Sequence, residues 1–149
     1  MRILLDTGIL LRVLNRGDPF HTTIRSAVRV LKMRGDQAVT TLQDISEFWN
    51  VCTRPVSARG GLGLTIEQTE RRLSILERGV QVLPEPASLY ERWRELVVLH
   101  RVLGVNVHDA KLVAAMTLYG ISHILTLNAA DFGRYSVISA MTPQSAVIP

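Results

Sequence analysis

The sequence predicts an α/β fold: a parallel sheet of about five strands with helices covering both faces. Three observations carry this. Short apolar runs suited to strands alternate with longer stretches of helical period, so each strand is separated from the next by a crossover. Gly35, Pro55, Gly79, Gly104 and Gly120 fall where the helical patterns stop. Apolar residues make up 47% and charged residues 20% of 149 positions, enough to bury a sheet on both sides. Residues 1–149 read as one domain, because no internal repeat, low-complexity segment or linker interrupts the pattern.

The elements follow in order. Arg2 to Leu5 is a short apolar strand ending in Asp6, and Thr7 opens a helical pattern through Leu10, Leu11 and Leu14. Asn15 to Pro19 is turn chemistry. His21 to Met33 is a basic amphipathic helix, with Ile24, Ala27, Val28 and Leu31 inward and Arg25, Arg29 and Lys32 outward. Ala38 to Thr41 is the second strand. It runs directly into a helix over Leu42 to Thr53, whose buried stripe is expected at Leu42, Ile45, Phe48, Trp49 and Cys52. Ser57 to Gly63 is a flexible loop. Thr65-Ile-Glu-Gln68 is a capping box for a helix reaching about Arg78. Val80 to Leu83 is the third strand, Pro84-Glu-Pro86 a stiff connector, and Leu89 to Val102 the next helix. Asp109 then sits in the first turn of a helix carrying Leu112, Val113 and Met116, ended by Gly120. Ile121 to Leu127 is expected as the fourth strand and Tyr135 to Ile138 as the fifth.

Composition excludes several classes. The single cysteine, Cys52, rules out an internal disulfide and a multi-cysteine zinc site. No apolar run approaches the length of a membrane span, and an acid at position 6 leaves no room for a signal-peptide core. These features together favour the cytoplasm. A net charge of +4 and a pI near 9.8 suit a polyanionic partner.

Against that basic background, four of the thirteen acids lack an ordinary explanation. Asp18 and Asp36 are turn residues, Asp44 lies in a helix first turn, and Glu67, Glu70, Glu77, Glu85, Glu91 and Glu95 belong to solvated faces or a connector. Asp6, Glu47, Asp109 and Asp131 remain. Each has a local alternative: Asp6 as a helix cap, Glu47 as a surface residue, Asp109 as a dipole acid, Asp131 as a loop-holding side chain. Yet Asp6 and Asp131 follow apolar strands, while Glu47 and Asp109 line or head neighbouring helices. Four carboxylates facing one crevice repel one another unless a cation is present. Oxygen donors without a His or Cys pattern point to Mg²⁺ or Mn²⁺, and such an ion beside a basic rim suits phosphodiester hydrolysis.

The segments Leu4-Leu-Asp6-Thr7, Gln43-Asp-Ile-Ser-Glu47-Phe-Trp-Asn-Val51, Val107-His-Asp109-Ala-Lys-Leu-Val-Ala-Ala and Leu125-Thr-Leu-Asn-Ala-Ala-Asp131-Phe together resemble the PIN-domain signature. The chain as a whole resembles VapC-type toxins of bacterial toxin–antitoxin pairs. The resemblance implies a PIN-like three-layer α/β/α sandwich and a Mg²⁺- or Mn²⁺-dependent ribonuclease. By the same resemblance Asp6 and Asp109 are the main metal ligands, and Glu47 completes the cluster or orients the water. Asp131 binds through water or at a second site, and Thr7, Thr126 and Asn128 support the site. It also implies a homodimer and a small cognate antitoxin that blocks the groove. One departure is Gly8, where the family usually has Asn or Ser.

Arg54, Arg59 and His108 are expected to contact the substrate RNA, although His108 also suits a local structural role. The Gly-rich stretch Arg59 to Gly63 lacks the Lys-Ser/Thr of a phosphate-binding loop. The rival functional reading is a non-catalytic RNA-binding or regulatory domain that keeps the acidic pocket as a scaffold, with Gly8 as its support. A phospho-accepting receiver domain would explain Asp6 but not Glu47 and Asp131.

Overall fold

The computed structural model describes residues 1–148. Five strands, β1 (Arg2–Leu5), β2 (Gln37–Thr41), β3 (Gln81–Leu83), β4 (His123–Leu125) and β5 (Ser139–Met141), form one sheet in the order β3-β2-β1-β4-β5. Every pairing is parallel; Leu4 lies opposite Val39 on one side and Ile124 on the other. Seven helices flank it: α1 (Thr7–Leu14), α2 (His21–Met33), α3 (Leu42–Thr53), α4 (Ile66–Glu77), α5 (Leu89–Leu99), α6 (Val107–Tyr119) and α7 (Pro143–Ala146). The architecture is the expected α/β/α sandwich.

Side-chain alternation along the central strand divides the core into two layers. Leu4 of β1 packs with α5 and α6, whereas Ile3 and Leu5 pack with α1, α2, α3, α4 and α7. Helix α6 is buried through Ala110, Leu112, Val113, Ala114, Ala115 and Met116, because it is covered by α5 on one side and the sheet on the other. Gly120 ends it with a φ of 65°, where Gly has no Cβ to clash, and the Ile121 amide reaches back to the Met116 carbonyl.

Two elements differ from expectation. The fifth strand is Ser139–Met141, not Tyr135 to Ile138. Tyr135 is buried edge-on against His100, ring centroids 4.9 Å apart, and Ser136 to Ile138 form a turn that leaves Val137 exposed. A three-residue edge strand of Ser, Ala and Met carries too little apolar signal to stand out. The fourth strand is also shorter than the apolar run, since Ile121 belongs to the helix stop and Thr126 to the following loop. Helix α7 escaped notice because four residues cannot display a period; Thr142 and Ser145 cap it and Pro143 starts it. No helix among the described residues is long and apolar enough to cross a membrane.

The strand order sets the position of the site. The chain lays β2 and β3 on one side of β1, then returns to place β4 and β5 on the other, so the crossovers diverge between β1 and β4. Open parallel sheets leave a crevice beyond the strand C-termini at such a point.

Candidate active site

A cleft of about 250 Å³ opens at that divergence. Asp6, Glu47, Asp109 and Asp131 all line it, with Thr7, Thr126 and Asn128. Gly8, Arg12, Gln43 and Asp44 line it as well.

Asp6 is the single residue between β1 and α1. Its Oδ1 accepts the Ile9 amide at 3.0 Å, so it caps the helix and faces the cleft at once. Burial raises its pKa, and Asp109 adds to this. The Thr126 hydroxyl, the Ile9 amide and the nearby Arg12 guanidinium act in the opposite sense. Thr126, fully buried, also accepts the Asn128 amide at 3.1 Å, which fixes the loop after β4.

Strand β2 passes into α3 without an intervening residue, Thr41 serving as both the last strand position and the helix cap. This junction delivers Asp44, whose place in a helix first turn gave it an ordinary explanation and which is 1% exposed. Its Oδ1 accepts the Thr7 amide and the Thr7 hydroxyl, both at 3.2 Å, and its Oδ2 accepts the Thr41 hydroxyl at 2.7 Å. The Thr7 hydroxyl also lies 3.1 Å from Glu47 Oε2. Asp44 therefore ties the turn that carries Asp6 to the turn that carries Glu47. Burial pushes its pKa up to about 7, with the charges of Asp6 and Glu47 adding to the rise. The signal was present in the sequence: positions 44, 48 and 52 share one helix face, and the structure buries Asp44, Phe48 and Cys52 while Leu42 is 53% exposed.

Asp109 lies in the first turn of α6, half-buried. Desolvation raises its pKa, and the charges of Asp131 and Glu47 raise it further against the opposing His108 and Arg134. The Gln43 side-chain amide donates to the His108 carbonyl at 3.0 Å, fastening the start of α6 to the start of α3. Sequence reasoning gave Gln43 no role. Asp131 is exposed on the short turn Ala129–Phe132, and its side chain makes no hydrogen bond among the described residues.

The expected substrate contacts fare differently. Arg54 caps the far end of α3 and donates to the Arg59 carbonyl at 2.7 Å, so neither arginine lines the cleft. His108 lines a neighbouring depression with Trp93, Val107 and Lys111.

The donor set is all oxygen: carboxylates, threonine hydroxyls and two amides, with no cysteine or imidazole among the described residues of the cleft wall. It fits a hard divalent cation, because the crowding that raises the Asp109 pKa is relieved by positive charge. Among the described residues no three His, Cys, Asp or Glu side chains already converge closely enough to hold an ion.

This fold and this acidic crevice define a class. The PIN-domain family model matches residues 3–137, and the chain belongs to the PIN-domain family. No curated protein matches the sequence significantly. Several solved structures share the fold. VapBC2 from Rickettsia felis, bound to a DNA fragment from its promoter, matches with a TM-score of 0.72 at 14% identity over 95% of this chain and 98% of that one. A toxin–antitoxin complex from Klebsiella pneumoniae gives 0.62 at 20% identity over 95% and 97%. VapC20 from Mycobacterium tuberculosis, a toxin that cleaves the sarcin-ricin loop, gives 0.59 at 24% identity over 82% and 86%.

Proposed function

We propose that the protein is a Mg²⁺- or Mn²⁺-dependent endoribonuclease and the toxin of a toxin–antitoxin pair. The observation that carries this reading is the convergence of Asp6, Glu47, Asp109 and Asp131 on one oxygen-lined cleft at the sheet's divergence point. PIN-domain membership and the toxin folds it resembles support the same conclusion.

Asp6 and Asp109 would be the principal ligands in this proposal, with Asp131 acting through water or at a second position. The divalent cation they would hold would supply the charge that polarises the scissile phosphate and the attacking water. Glu47, next to Thr7 and reached from the solvent side, orients that water and takes up its proton. Asp6 is held by the Ile9 amide, so its position costs no reorganisation when RNA arrives. The cognate partner is a small antitoxin that occupies the cleft, and the working form is a cytoplasmic homodimer.

The test is cleavage of a structured RNA pool by purified protein in Mg²⁺, Mn²⁺ or EDTA, beside Asp6→Ala and Asp109→Asn. Metal-dependent cleavage lost in both variants is expected. Cleavage that persists in EDTA, or in either variant, would overturn the assignment.

A further inference from the structure

We propose that Arg12 is the phosphate contact inside the cleft, and that Gly8 is the opening through which its guanidinium reaches the substrate. This rests on the nuclease reading above and names a binding residue that reading did not include.

Arg12 is the one basic side chain among the described residues that line the acidic cleft. A phosphodiester entering a wall of five carboxylates meets repulsion everywhere except at this residue and at a bound cation. The guanidinium is steered by two anchors outside the acid cluster. Its Nε lies 3.3 Å from Asp18 Oδ2, and its Nη1 donates to the Gly8 carbonyl at 3.2 Å. No ion pair joins it to Asp6, Asp44, Glu47, Asp109 or Asp131 among the described residues. Its one ion pair, with Asp18, lies outside the cleft wall, so none of the five cleft carboxylates holds it directly.

Position 8 explains how it gets there. Residues 8 and 12 are four apart on α1 and share a face. A Cβ at position 8 would lie 3.4 Å from Asp6 Oδ1 and 3.5 Å from Arg12 Nη1. The space that a longer side chain would occupy thus separates the arginine from the first carboxylate, and glycine leaves it empty. The arginine fork matches a phosphate better than an ammonium would, since it offers two parallel donors. A guanidinium on this side would hold the phosphate beside Asp6, at the edge of the carboxylate cluster.

The test measures two quantities on the same proteins. Binding of a fluorescein-labelled single-stranded oligoribonucleotide is titrated in EDTA over a range of salt, and cleavage of that oligoribonucleotide is followed in Mn²⁺. Arg12→Gln should weaken binding about tenfold and flatten the salt dependence by about 0.7 in log–log slope, the value of one lost phosphate on a single strand. Arg12→Lys should keep the slope and lose part of the affinity. Asp18→Asn removes the anchor but keeps the cation, so its affinity and slope should match the wild type. Unchanged affinity and slope in Arg12→Gln would overturn the proposal. So would an equal loss in Asp18→Asn, which would make Arg12 a structural brace. RNA binding that depends on Arg12 without cleavage in Mn²⁺ would sink the nuclease reading and leave the phosphate contact standing. No RNA binding by the wild type would overturn both.

Discussion

Replacing Asp44 by Asn should stabilise the metal-free protein in a pH-dependent way. The buried carboxyl has a pKa of about 7 against an ordinary 3.8, so folding favours its protonated form. The sign follows from proton counts. Between these values the folded state holds more protons than the unfolded state, so stability falls as pH rises from about 4 to about 7 and is flat beyond. At about 1.4 kcal/mol per pH unit, the gap puts the cost of the ionised form at about 4 kcal/mol. Asn keeps the shape: its Oδ1 can accept from Thr7 as before, and its amide can donate to the Thr41 hydroxyl. For a chain of this size the relief corresponds to roughly 8–16 °C in Tm. The assay is thermal unfolding of wild type and Asp44→Asn in EDTA from pH 4 to pH 9. The two should nearly coincide at pH 4 and diverge up to neutrality. A difference that does not change with pH would refute the argument, because it would show that Asp44 carries no titrating burden. Asp44→Ala should instead lose about 1–3 kcal/mol at pH 4, since it leaves the Thr7 amide and Thr41 hydroxyl without their acceptor, and that loss should shrink and then reverse toward neutrality as the wild type takes on the cost of its ionised carboxyl.

Asp109→Asn should abolish cleavage yet leave the metal-free Tm equal or higher, since it removes a charge that Asp131 and Glu47 oppose; a large fall in Tm would make Asp109 structural. Mg²⁺ or Mn²⁺ at a hundredfold excess over its Kd should stabilise the wild type by about 2.7 kcal/mol, read as a Tm shift absent from Asp6→Ala. Thr126→Val, which strips a hydroxyl from both Asp6 and the Asn128 amide, should cost about 1–3 kcal/mol in denaturant unfolding. Gly8→Ala should stabilise the fold by up to about 1 kcal/mol, read as a small rise in Tm, because position 8 is helical and the added methyl meets only ordinary contacts.

How much of this was legible depended on whether the signal was local. β1 running into Asp6, the Thr65 capping box and the Gly120 stop are written in adjacent residues, and each stands where the pattern puts it. The four acids announced themselves because Asp6 and Asp131 follow apolar strands, Asp109 heads a helix and Glu47 flanks the apolar stripe of another. Asp44 did not, since an acid in a helix first turn already has an ordinary explanation; only the packing of α1 against α3 gives it Thr7 as a partner. Its phase with Phe48 and Cys52 outweighed that explanation, and weighting phase above position would have found it. Arg54 and Arg59 misled for the opposite reason. Basic residues near an acidic helix look like a rim until the twelve residues of α3 carry them to its other end. The fifth strand was lost because an edge strand answers to its neighbour's backbone more than to its own side chains.

The absence of any linker between β2 and α3, and the single residue between β1 and α1, bear on how such a protein can be switched off. A site built on loops can be dismantled by bending them. Here Asp6 and Asp44 are bolted to strand ends in the middle of the sheet, so deforming the site would mean unravelling the sheet itself. For the nuclease proposed above, control would then fall to occupation: a molecule would fill the cleft from outside and its removal would restore activity. A site anchored in this way offers no inactive posture of its own, and restraint would lie in the supply of its plug.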